Sequence, residues 1–168
     1  MKKTLLLTTL AALLTAGASG QNSAALRPIT DPTGRFGVGL MVGEPSAVSL
    51  KYFWNETMAV DGAVGWSFHR ETDLYLHSDV LWHDFDLLTV PQGQLSVYLG
   101  VGARAKIREH KDDRLGVRVP VGVSYLFEDL PLDIFAEVAP ILDFAPSTRG
   151  GFTLGIGARW WKEQNQGW

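Results

Sequence analysis

From residue 36 to residue 160 the chain alternates apolar and polar residues with period two, in short segments separated by turn formers. The segments fall at 36–42, 48–54, 58–68, 74–82, 95–105, 115–127, 134–140 and 152–160. In 115–127 the odd positions are Leu115, Val117, Val119, Val121, Val123, Tyr125 and Phe127. They alternate with Gly116, Arg118, Pro120, Gly122, Ser124 and Leu126. Successive side chains of a strand point to opposite faces, so this pattern fits strands. No segment carries a sustained helical period. Breakers such as Asn55-Glu56-Thr57, Pro91-Gln92-Gly93 and Pro146-Ser147 stand between segments, and most gaps are short enough for antiparallel hairpins. The expected fold class is all-β.

The charges sort by parity. The apolar parity holds no charged residue in any segment, while the other holds Lys51, Asp61, Asp79, Arg104, Arg118, Glu137 and Arg159. Two closed architectures accommodate this: a soluble lipocalin-like calyx, apolar inside, or an outer-membrane barrel, apolar toward lipid. The glycines decide for the second. Gly100, Gly102, Gly116, Gly122, Gly155 and Gly157 lie on the charged parity. A narrow eight-stranded interior needs room for long side chains, whereas a solvent-facing strand would only be weakened by glycine. Aromatics near the segment ends of the apolar parity form a candidate interfacial girdle: Phe36, Trp54, Trp66, Phe68, Trp82, Tyr125, Phe127 and Trp160, with Phe152 beside them. The expectation is an eight-stranded antiparallel up-and-down transmembrane β-barrel. Pro120 lies inside a segment, and is expected to remove one ladder hydrogen bond without ending the strand.

The N-terminus agrees with that destination. Residues 1–20 read MKKTLLLTTLAALLTAGASG, with Lys2 and Lys3 before an apolar run from Leu5 to Leu14 and small residues after it. This reads as a secretory signal peptide, cleaved after Ala18 or Gly20, with too short an apolar core to span a bilayer. Residues 21–34 form a polar periplasmic linker, 35–161 the barrel, and 162–168 a C-terminal tail. The absence of cysteine excludes disulfides, cysteine zinc sites and a lipoprotein anchor. A net charge of −3 gives no reason to expect nucleic-acid binding.

The runs GEPSAVSLKYFW (43–54), RLGVRVPVGVSYLFEDLPLDIFAEVAP (114–140) and GFTLGIGARWW (151–161) carry a resemblance. The layout resembles small eight-stranded outer-membrane barrels of the OmpA/OmpX type. More closely, it is similar to a family of uncharacterised outer-membrane barrels that includes spirochaete members. The resemblance implies a fold and an outer-membrane location, with outer-membrane lipids and the insertion machinery as partners. It implies no catalytic residues.

The candidate site is the lumen. Lys51, Asp61, Asp73, Asp79, Arg104, Arg118, Glu137 and Arg159 are expected to form an ion-pair network that plugs it. Taking the turns as hairpin centres, Lys51 lies across from Asp61, Asp73 across from Arg104, and Glu137 near Arg159. Tyr75 and Tyr98 are expected over lumen glycines. The histidines are His69, His77, His83 and His110. His77 and His83 share the lumen parity with Asp79, and read as polar filling rather than a metal site. His77 and Ser78 are adjacent on a strand and face opposite ways, so they cannot form a hydrolase dyad. No nucleophile elbow, zinc-protease helix motif or phosphate loop is present. The expectation is a non-enzymatic protein without cofactor or metal, structural or surface-interacting, whose extracellular ligand the sequence does not name. Loops 43–47, 69–73, 107–114 and 143–150 would face outside. The alternatives are a small-molecule or ion pore and a soluble lipocalin-like periplasmic binder.

Overall fold

The computed structural model describes residues 32–44, 46–67, 73–108 and 112–162. The expected signal peptide, most of the expected 21–34 linker, Phe68, His69, His110 and the residues beyond Lys162 lie outside the described residues, as do the side chains of Trp66 and Asp73. The strands are β1 (Phe36–Glu44), β2 (Ser46–Phe53), β3 (Met58–Ser67), β4 (Asp73–Asp84), β5 (Gln94–Arg108), β6 (Arg114–Arg118), β7 (Val121–Leu126), β8 (Leu132–Ala145) and β9 (Arg149–Lys162). Each pairs antiparallel with its sequence neighbours, β6 and β7 together filling one place between β5 and β8. β1 pairs with β9, from Phe36↔Lys162 to Glu44↔Leu154. The sheet is therefore closed into an up-and-down barrel of eight strand positions with no free edge.

Pro120 explains the division of β6 from β7. Arg118 faces Ile141 and Val121 faces Val138, so the register against β8 is unchanged across the gap. Val119 N still donates to Pro140 O at 3.0 Å, and Gly100 N to Pro120 O at 2.8 Å. Each proline faces a partner to which it accepts but cannot donate, so the ladder loses single bonds while the strand path continues.

The alternation maps directly onto inside and outside. Val117, Val119, Val121 and Val123 are exposed, while Arg118 is 1% exposed. Leu40, Leu99, Val101, Leu154 and Ile156 likewise face out, and Lys51, Asp61, Asp79 and Arg159 are buried. The interior is the charged parity. This contradicts the lipocalin-like alternative, which needs the apolar parity inside.

The strands run further than the sequence segments. β8 continues to Ala145 and β9 begins at Arg149, so the expected loop 143–150 contracts to 146–148. β5 begins at Gln94, and its first residues Gln94, Leu95 and Ser96 pair with β7 while β4 stops opposite Val97. At the same end as the β4–β5 connection, Asn55 Oδ1 accepts from Thr57 N at 2.9 Å and Met58 N at 2.7 Å, a side-chain turn that reverses β2 into β3.

The aromatic belt is uneven. Phe36, Trp54, Trp82 and Trp160 face outward near the end where β1 begins and β9 ends, and Tyr125 and Phe127 are half-buried beside them. Tyr125 and Phe127 meet edge-on, with centroids 4.9 Å apart. Toward the other end Phe144 and Phe152 are exposed; Phe144 lay beyond the predicted segment.

Candidate functional site

The lumen is stacked from apolar to charged along the barrel. Near the end where β1 begins and β9 ends, Phe53, Ala59, Leu126 and Trp161 form an apolar layer with Phe85 packed on it. Phe53 and Trp161 approach to 5.5 Å between ring centroids. Above it lie the ionic side chains, with a second apolar cluster of Met41, Ala47, Ala63 and Phe135 among them. Lys51, Asp61, Asp79, Gly102 and Arg118 are successive register partners across β2, β3, β4, β5 and β6, so they form one belt around half of the wall.

Arg118 is bound to Glu137 through its guanidinium, and its other terminal nitrogen lies 3.5 Å from Asp79 Oδ2. It reaches Asp79 over Gly102, whose place between them could not hold a Cβ without overlapping the Asp79 carboxylate. Tyr98 donates its hydroxyl to Glu137 Oε2 at 3.1 Å. The ring of Tyr98 occupies the space above Gly122, where a Cβ would overlap it.

Arg159 makes the second cluster. It donates to Asp133 at 3.1 and 3.2 Å and to Asp61 Oδ2 at 2.7 Å. Its guanidinium lies 3.9 Å from the Phe135 ring centroid, a cation–π contact. Asp133 also accepts from Ser124 Oγ at 2.8 Å. Asp61 is on β3, with β1 and β2 between it and β9, and Arg159 crosses over Gly39 and Ser49 to reach it. Toward the other end Arg104 holds Asp143 in a fork at 2.6–2.9 Å, with Arg114 at 3.9 Å.

Two expected partnerships differ in the structure, and a third, Lys51 across from Asp61, holds in register though the side chains take other partners. Asp73 faces Arg108, while Arg104 faces His77 and binds Asp143. The long β4–β5 connection is asymmetric, so its midpoint is not the hairpin centre. Glu137 faces Gly155 and binds Arg118; Arg159 faces Asp133. The tight turn at 146–148 shifts the β8–β9 register by four residues from the expected one, because β8 and β9 extend to either side of it. Lys51 is the register partner of Asp61, but its ammonium lies 2.7 Å from His83 Nε2 while Asp61 is taken by Arg159. Lys51 also sits 4.8 Å above the Tyr98 ring.

Sequence reasoning missed Asp133 and Asp143. Both share the inward parity of Glu137, and extending that parity past both ends of the 134–140 segment reaches them.

His77 falls between two carboxylates. Its Nε2 is 3.4 Å from Asp61 Oδ1 and 3.6 Å from Asp79 Oδ2. The three form one buried group whose candidate ligand atoms all lie within 4.8 Å of one another. Ser78 is exposed and His77 buried, on opposite faces, so Ser78 does not meet this imidazole.

These features define a class: a closed eight-stranded antiparallel barrel, inverted in polarity, with a salt-bridged lumen. A solved structure shares the fold, the N-terminal β-barrel domain of Pseudomonas aeruginosa OprF, with TM-score 0.58 and 13% sequence identity over 76% of this chain and 96% of that one. At that identity the likeness is one of fold. No family model and no curated protein matches the sequence.

Proposed function

We propose that this chain is a non-enzymatic outer-membrane β-barrel protein with a structural or surface-interaction role, its lumen plugged by ion pairs. The observation that carries the reading is the inversion of polarity. An unbroken ring of exposed Val, Leu, Ile and aromatic side chains surrounds a buried set of lysine, arginines and carboxylates. Soluble monomers rarely expose more than a few hundred Å² of contiguous apolar surface. Lipid is the solvent that makes the arrangement favourable, and a closed barrel satisfies the backbone there. The leader at residues 1–20 and the resemblance of the runs 43–54, 114–140 and 151–161 to the spirochaete-containing family support the same destination. Outer-membrane lipids and the insertion machinery are then its partners.

The plug is supported by the filling of the lumen. An eight-stranded barrel is just wide enough for its own side chains. Here Arg104, Arg118 and Arg159 each bind carboxylates inside it, and the layer of Phe53, Leu126 and Trp161 lies beneath them. Membrane fractionation tests the location: the chain is expected with the outer membrane, and to migrate differently on gels before and after heating. Recovery of the mature chain in detergent-free buffer overturns the reading. Planar-bilayer recording tests the plug, with no resolved single-channel steps expected; a steady ohmic conductance overturns it.

A further inference from the structure

Asp61 and Asp79 are directly opposed on neighbouring strands β3 and β4, both side chains turned into the lumen and buried. Like charges facing each other across a ladder are destabilising, and more so away from water. The cations nearby are already engaged. Arg159 is shared between Asp61 and Asp133, Arg118 is bound to Glu137 and approaches Asp79 only to 3.5 Å, and Lys51 lies against His83. Asp79 has a side chain with no exposed surface, and neither of its carboxylate oxygens has a hydrogen-bond partner. An ionised carboxylate buried without hydrogen bonds points to a missing positive charge.

The geometry supplies a place for that charge. His77 Nε2 stands 3.4 Å from Asp61 Oδ1 and 3.6 Å from Asp79 Oδ2. Those separations are long for hydrogen bonds. They match the edge of a tetrahedron, about 3.4 Å, around a metal whose ligands lie at about 2.1 Å. The oxygen of Asp61 that faces His77 is not the one that accepts from Arg159. His77 itself is opposite the small Ala63.

We infer that Asp61 Oδ1, His77 Nε2 and an Asp79 carboxylate oxygen form a lumenal site for one divalent transition-metal cation of the zinc type, with water as fourth ligand. One imidazole and two carboxylates suit a borderline cation better than calcium, which takes six to eight oxygens. A bound dication offsets the facing carboxylates and ties β3 to β4 inside the barrel. The site stands on lumen geometry and is independent of where the protein resides.

The test uses the mature barrel refolded in detergent and stripped with a chelator. Titration with Co²⁺ is expected to give the visible bands of a tetrahedral site, saturating at one equivalent and displaced by Zn²⁺. Asp79→Asn and His77→Gln should each weaken binding by about 100-fold or more, since even residues that only orient ligands are worth about 10–100-fold. The double variant His69→Gln/His110→Gln should leave the titration unchanged. No saturable binding, or binding lost only in the His69/His110 variant, overturns the site. His77 would then be a lumen side chain lying between the two aspartates. Should the lumen variants fail to refold, the unmutated barrel decides: Zn²⁺ is expected to raise its unfolding midpoint and a chelator to reverse the rise. An unchanged midpoint overturns the inference.

Discussion

Arg118 and Glu137 are joined across the β6–β8 wall, four positions apart along the ladder, because Glu137 faces Gly122 and Arg118 faces Ile141. Gly122 is essential to this arrangement. With no side chain there, Tyr98 crosses from β5 and donates to the same carboxylate at 3.1 Å. Both bonds end on one glutamate that is itself nearly buried, at 8% side-chain exposure.

Glu137→Ala should therefore destabilise the barrel by leaving Arg118 buried without its closest partner. The cost of breaking such a pair is about 3–5 kcal/mol. Glu137→Ala combined with Arg118→Ala should recover part of the loss, while Glu137→Ala with Arg159→Ala should be additive. Urea unfolding of the four-member cycle in vesicles checks both statements.

Gly122→Ala should be costly in spite of its size. The new Cβ would lie 2.6 Å from the Ala136 carbonyl oxygen and would overlap the Tyr98 ring. Moving Tyr98 removes its hydrogen bond to Glu137. Overpacking of this kind costs about 1–3 kcal/mol. The same measurement on Gly150→Ala, where a Cβ meets nothing within 4 Å, should show little packing penalty.

Val121 stands one residue away from Gly122 and faces outward, 40% exposed. Val121→Arg should cost about 2–4 kcal/mol if this point lies near the bilayer midplane. The penalty should fall toward about 0–1 kcal/mol for an outward position at the barrel rim. A depth series of arginine substitutions, unfolded from vesicles, reads this directly.

Trp160 and Trp161 give an internal control for which face meets lipid. Trp160 is 55% exposed on the outer wall and Trp161 is 3% exposed in the lumen. In variants that keep one tryptophan each, brominated lipids should quench Trp160 strongly and Trp161 weakly. Equal quenching would contradict the inside–outside assignment.

The sequence by itself determined the strands and the sorting of side chains between wall and lumen. Both follow from a two-residue period that each segment states locally, and the absence of charge on one parity makes a one-residue slip untenable. Thus Arg118 could be placed inside, Val117 and Val119 outside, and Pro120 passed over as a single missing donor. Which lumen charges meet was decided by the tertiary structure. Partners depend on the register of every hairpin and on the stagger that closing a barrel imposes. A turn at 146–148 moves Arg159 from Glu137 to Asp133, and curvature brings Arg159 on β9 to Asp61 on β3, three strands away. Asp61, His77 and Asp79 likewise converge only because β3 and β4 align in a register that places two aspartates face to face. Parity is a property of one strand, whereas an ion pair in the lumen belongs to the closed ring.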